Sequence, residues 1–297
     1  MPFSLADLKG SIPPLITPFK DGAVDYDAYA GLVEFQIKNG SYGILVNGTT
    51  SEPSTLTVEE RNKIVDVAMK TVKGRVPVVV ASGSQSLAET VALTDHAAKA
   101  GADCLLIVTP YYIRPPQRGL IQYYLEVTKK HKTPWMIYHI PGRAAINVTL
   151  DTVKTLREKS PSFVGMKHAV DNLGFVSECL DFWDEMKIFV GLEDLSFPMM
   201  AVGACGLMNA VGNLRPDLLR EMCEAVFAGD LKKGQALHKR LFEINQAVFF
   251  DTNPTPIKYM MKKLGIIPKN EHRLPMMPAL PELEKRLDGV LQRAGLI

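Results

Sequence analysis

The sequence predicts an α/β fold, a closed (β/α)8 TIM barrel with a C-terminal helical extension. Three observations carry this. Short apolar runs alternate with longer amphipathic ones eight times, the pattern of a parallel α/β protein. Most of the apolar runs lack polar alternation, as strands buried on both faces of a parallel sheet do. The chain has 297 residues, which accommodates a barrel of about 250 residues as one domain. A doubly wound sheet is the competing arrangement, and the count of eight favours the closed barrel. The barrel is assigned to residues 1–230 and the extension to 231–297, packed on it as a single structural unit, because no linker, low-complexity tract or charge block divides them.

The strands are expected at 12–17, 43–46, 76–81, 104–108, 135–138, 163–166, 188–190 and 206–209, all rich in Val, Ile, Leu or aromatic residues. Between them the apolar spacing becomes helical. Segment 25–38 places Tyr29, Leu32, Val33, Phe35 and Ile37 largely on one side and stops at Asn39-Gly40. Segment 57–72 opens with Thr57-Val58-Glu59-Glu60, a capping box in which Thr57 caps the helix and Glu60 reaches back to its amide. Segment 86–100 opens with Ser86-Leu87-Ala88-Glu89, which predicts the same device, and stops at Gly101. Helices are also expected at 119–130, 149–158, 173–185, 197–202 and 216–228, with 231–249, 256–264 and 281–294 forming the extension.

Composition narrows the function. A hydrophobic fraction of 46% and a charged fraction of 22% are ordinary for a globular chain. With 34 basic against 32 acidic residues and a net charge of +2, there is no concentrated basic footprint for nucleic acid. The first residues carry no secretory signal pattern, and no apolar run approaches the roughly 18 residues of a membrane span. Cys104, Cys179, Cys205 and Cys223 are scattered, with neither a CxxC pair nor zinc spacing, which reads as free thiols in a reducing cytoplasm. Neither GxGxxG nor a P-loop is present, so no nucleotide cofactor is expected.

In such a barrel, chemistry gathers where strands end and βα loops begin. Strand two runs into Asn47-Gly48-Thr49-Thr50-Ser51-Glu52, strand four into Thr109-Pro110-Tyr111-Tyr112, strand five into Tyr138-His139-Ile140-Pro141-Gly142-Arg143, and strand six into Lys167-His168. Lys167 follows Phe163-Val164-Gly165-Met166, an apolar setting that disfavours an ammonium. A neutral amine there attacks a ketone to form an imine, an electron sink for C–C bond chemistry. The plain alternative is the first exposed residue after a strand. Gly48-Thr49-Thr50 offers hydroxyls and amides able to hold a carboxylate, or is simply a capped glycine turn. Tyr112 and Tyr138 suit proton transfer if hydrogen-bonded, and equally suit aromatic packing. Arg143 suits a bidentate grip on a carboxylate, or a surface loop. His139 and His168 follow adjacent strands and can approach one another, but a metal site wants a third ligand, and none is expected.

On these segments, and on Gly191 and Asn253-Pro254-Thr255-Pro256-Ile257-Lys258, the sequence resembles the dihydrodipicolinate synthase and N-acetylneuraminate lyase family of pyruvate-dependent class I aldolases, over essentially the whole chain. The resemblance implies that Lys167 forms a Schiff base with pyruvate. It implies that Thr49, Tyr138 and Tyr112 form a proton relay, with Tyr112 reaching into a neighbouring subunit's site. Thr50 would bind the pyruvate carboxylate, and the backbone at Gly191 and Met208 would shape the pocket. Arg143 matches the arginine that, in the synthase branch, sits by the carboxylate of aspartate semialdehyde. A homotetramer built as a dimer of dimers, with no cofactor, is implied.

Three positions depart from the family pattern. Ser51 stands where glycine is common, His139 replaces an asparagine, and His168 replaces an acidic residue. The synthase reaction, condensing pyruvate with aspartate 4-semialdehyde, is therefore expected beside an alternative: a catabolic aldolase or dehydratase-type lyase acting on a 2-oxo-3-deoxy sugar acid or similar 2-oxo acid. A non-catalytic 2-oxo-acid binder is a third reading, opposed by the joint presence of Lys167, Tyr138, Tyr112 and Thr49. Tyr111, Gln85 and Glu89 match positions that bind inhibitory lysine in the family, while Val58 and Arg61 stand where lysine-inhibited members carry histidines. Inhibition by lysine is expected to be weak or absent.

Overall fold

The computed structural model describes residues 3–297 and contains eight parallel strands in one sheet. In chain order they are β1 (Gly10–Ser11), β2 (Ile44–Val46), β3 (Val78–Ala81), β4 (Cys104–Val108), β5 (Trp135–His139), β6 (Phe163–His168), β7 (Lys187–Val190) and β8 (Gly206–Leu207). From β2 onward each pairs with the next, and β8 pairs with β1. Beyond β1, Pro14 bridges to Leu45, with Leu45 N donating to Pro13 O and Leu15 N to Leu45 O, both at 3.0 Å. That bridge joins the first and second strands and closes the barrel.

The first strand differs from expectation. Regular pairing covers Gly10–Ser11, upstream of the predicted 12–17, and then thins to the single bridge at Pro14. Pro13 and Pro14 carry no N–H, so a continuous ladder cannot run through them. Pro77 trims the third strand's start in the same way. Strands five and six run longer than expected, to His139 and His168, so Lys167 and His168 lie within a strand and not after it.

Between strands lie α1 (Tyr26–Lys38), α2 (Val58–Val72), α3 (Leu87–Lys99), α4 (Gln117–Thr128), α5 (Leu150–Lys159), α6 (Leu173–Phe182), α7 (Ser196–Ala201) and α8 (Pro216–Phe227). Then follow α9 (Leu231–Ala247), α10 (Thr255–Lys263) and α11 (Pro281–Arg293). The box at α2 forms as expected, with Thr57 and Glu60 satisfying each other's amides. At α3 only half of it forms: Ser86 accepts from Glu89 N, but the Glu89 carboxylate turns to Arg61 at 3.5 Å. A guanidinium outcompetes a solvated amide for that carboxylate.

Side chains alternate between two cores. Leu45, Val79, Leu106, Met136 and Phe189 fill the barrel interior, while Ile44, Val80, Ile107, Ile137 and Ile188 face the helices. The outer core continues into the extension through Leu241, Met260 and Leu287. Strand β6 breaks this alternation at one place. Trp135 pairs with Phe163 but Met136 pairs with Gly165, so Val164 is an extra residue, a β-bulge. A slip of one residue swaps every following side chain to the opposite face. The bulge is what places Lys167 beside Tyr138 on the inside and Met166 beside Ile137 on the outside. Gly165 is required there: its φ is +155°, and a Cβ would collide with the backbone of Lys187.

Candidate active site

Lys167 ends up inside the barrel near the C-terminal end of β6, 3% exposed. Its Nζ lies 4.4 Å from the centre of the Tyr138 ring, contributed by the register partner on β5. The Tyr138 hydroxyl is 3.1 Å from Thr49 Oγ1, within hydrogen-bonding distance. Thr49 and Thr50 belong to the single turn Thr49–Ser51 that follows β2. Thr50 is buried, and its Oγ1 accepts from Asn253 Nδ2 at 2.9 Å. At the end of β7, Gly191 leaves room for the lysine stem: a Cβ there would stand 3.0 Å from Lys167 Cε and 2.8 Å from Ala169 Cβ. Met208 is buried after β8, its amide donating to Val190 O at 2.8 Å. Arg143 is exposed at the rim, on the short turn Pro141–Ala144.

These seven residues line one small cavity of about 60 Å³. It shares Thr49, Tyr138, Arg143 and Asn253 with a larger cavity of about 620 Å³, whose far side carries Arg61, Gln85, Glu89 and Tyr111. Tyr112, the eighth candidate, lines neither cavity. It is 90% exposed at φ +75°, beside Ile113, which is 63% exposed.

One residue of the small cavity escaped the sequence reading. Glu193, two positions past Gly191, is buried with one oxygen accepting from Ala210 N at 2.6 Å. The other oxygen has no hydrogen-bond partner among the described residues. Burial pushes its carboxyl up to about 7, against the pull of the Ala210 amide and the Lys167 charge. Its position just past a strand end was the available signal. Asn253 gave no such signal, since it comes from the extension and lies outside the strand-end pattern.

The two histidines do meet: His139 Nδ1 and His168 Nδ1 are 3.2 Å apart, and Phe175 packs on both rings. Strand alternation turns them outward, away from Tyr138 and Lys167, and neither lines the cavities. Burial pushes both imidazoles down to about 4. Neither histidine, then, contacts the space in which a substrate would sit.

Fold and geometry define a (β/α)8-barrel protein with a buried lysine amine facing a tyrosine–threonine pair at the C-terminal ends of its strands. The chain belongs to the dihydrodipicolinate synthetase family, whose model matches residues 7–294. It is 42% identical over 291 residues to a 4-hydroxy-tetrahydrodipicolinate synthase of Thermus thermophilus, covering 97% of each chain. It superimposes on the dihydrodipicolinate synthase of Aquifex aeolicus with a TM-score of 0.95 at 37% identity, covering 97% of this chain and 99% of that one. A dihydrodipicolinate synthase from Acinetobacter baumannii, complexed with pyruvate, matches with a TM-score of 0.94 at 32% identity, over 98% and 100% of the two chains.

Proposed function

We propose that the protein is a Schiff-base lyase acting as a 4-hydroxy-tetrahydrodipicolinate synthase, condensing pyruvate with aspartate 4-semialdehyde. The observation that carries this is the sheltered Lys167 amine 4.4 Å from the ring of a tyrosine whose hydroxyl meets Thr49. The amine adds to the C2 carbonyl of pyruvate, and loss of water leaves an imine. The imine draws electrons from C3, which sheds a proton to give an enamine. That carbon then attacks the aldehyde carbon of the second substrate, whose oxygen gains a proton. The amine of the captured semialdehyde then adds to C2 and expels the Lys167 amine, which takes up the proton released, so the ring closes and the enzyme is freed.

Each neighbour takes a part. Tyr138 and Thr49, with Tyr112 donated by an adjacent protomer, carry protons during water loss and C–C bond formation. The Thr50 hydroxyl and amide hold the pyruvate carboxylate, and Gly191 and Met208 shape the space around it. Arg143 takes the carboxylate of the semialdehyde at the rim, where the incoming aldehyde must pass. The residues supply an amine, hydroxyls and amides, and the reaction as written needs no cofactor or metal. The catabolic reading drew its support from His139 and His168, and both face away from the cavity.

The exposed Tyr112, held at positive φ, and the exposed Ile113 beside it support a homotetramer in which this loop docks on a neighbour. No helix among the described residues is long and apolar enough to cross a membrane. Four free cysteines suit the cytoplasm as the place of action. The test is a competition between electrophiles. With pyruvate present, aspartate 4-semialdehyde is expected to turn over and sugar aldehydes are not. Turnover of sugar aldehydes alone would remove the synthase assignment.

A further inference from the structure

The turn that carries Thr49 and Thr50 is fastened to the C-terminal extension by buried charge. It ends at Glu52, which sits at φ +57°, a left-handed conformation that a non-glycine residue adopts at an energetic cost. The Glu52 carboxylate reaches Lys258 of α10, with Oε1 to Nζ at 2.8 Å and side chains 1% and 0% exposed. Lys258 Nζ also donates to the Glu271 carbonyl at 2.5 Å and stands 4.5 Å from the centre of the Phe19 ring. His272 Nδ1 lies 3.6 Å from the second Glu52 oxygen. Five residues before Lys258, Asn253 holds the Thr50 hydroxyl directly.

Such a pair is a poor device for stability alone, since desolvating two charges offsets most of their attraction, and an apolar pair of similar volume often serves as well. It is a good device for position. The ammonium has a fixed set of acceptors on two chain segments, and the carboxylate sits one residue beyond the turn that lines the cavity.

We infer that Glu52 and Lys258 are positioning residues that hold the Thr49–Thr50 turn against the extension in the geometry that receives the substrate carboxylate. Neither side chain touches the substrate, and both act through Thr50. The inference rests on the proposed pyruvate chemistry and deepens it. The C-terminal extension becomes a working part of the site and not only a cover for the barrel.

The test compares Glu52→Met, Lys258→Met and the Glu52→Met/Lys258→Met double variant. Three quantities are read: melting temperature, the pyruvate concentration that half-saturates borohydride trapping at Lys167, and kcat. Each single variant leaves one partner buried and unpaired and should melt lower. The double variant should melt close to the wild type, yet need about tenfold more pyruvate for half-saturation, the scale of one lost hydrogen bond to a charged group. If the double variant regains wild-type pyruvate dependence along with its melting temperature, the pair is structural only and the inference is overturned. Asn253→Ala removes the contact to Thr50 without touching the ion pair, and serves if the others fail to fold. It should raise half-saturating pyruvate with little change in melting, and an unchanged value would overturn the inference. A wild-type chain that gives no adduct would overturn the proposed function, and this inference with it.

Discussion

At the scale of single residues, the account turns on atoms that have no substitute. Lys167→Arg keeps a cation of similar reach but replaces the amine with a guanidinium, which does not add to a ketone. Imine formation should be abolished, and substantial aldol turnover in that variant would contradict the mechanism. Tyr138→Phe removes one hydroxyl that meets Thr49 at 3.1 Å and leaves the ring that packs beneath the amine. Its kcat should fall by about 10²-fold or more, the range for a positioned proton donor, while its melting temperature stays near the wild type. Lys167, Tyr138 and Thr49 were legible in the sequence because each lies near or just past the C-terminal end of a strand, at the mouth. Glu193 follows the same rule but was passed over, since a carboxylate past a strand end reads as solvated until burial is known.

At the scale of elements, the bulge in β6 decides which way the Lys167 amine points. Nothing in the spacing of Phe163-Val164-Gly165-Met166-Lys167 announces a change of phase, apart from the glycine inside an apolar strand, which is a known mark of a bulge. Gly165→Ala should lower the melting temperature sharply, by several kcal/mol of stability, because the added methyl meets backbone and cannot be moved aside. The same two strands carry the His139–His168 contact. Both rings are held near 4, below the ordinary 6.5, so the folded state prefers them neutral. Their contribution to stability is full above pH 6.5 and is lost as pH falls towards 4, amounting to a few kcal/mol across the pair. Glu193 works in the opposite sense. Its raised carboxyl gives stability that is full below 4.5 and lost as pH rises through about 7. The two are separated by comparing His168→Gln with the wild type: chemical denaturation of the variant should show a shallower loss between pH 6.5 and 4. Equal slopes would show that the pair does not govern acid stability.

At the scale of the whole molecule, alternation and length were enough to foresee eight parallel strands with helices between them. What they could not show was how the barrel closes across two prolines, or that the extension returns through Asn253 and Lys258 to the turn after β2. Those contacts join residues some 200 positions apart, and no local pattern encodes them. The residues expected to meet a lysine effector, Gln85, Glu89 and Tyr111, line the larger cavity. Arg61 is buried there, donating to the carbonyls of Ala81 and Gly83, and we propose that its charge opposes the ammonium of a lysine brought into this cavity. Like charges at that range repel, so sub-millimolar lysine should leave initial rates unchanged in a titration, and clear inhibition would refute the reading. The proposed function presupposes one event, the capture of a 2-oxo acid by a buried amine. That event is tested by incubating the intact protein with pyruvate, reducing with borohydride and mapping the product by peptide mass spectrometry. The account predicts one reduced pyruvate adduct, on Lys167. An unmodified chain, or an adduct on another lysine with Lys167 untouched, would contradict it.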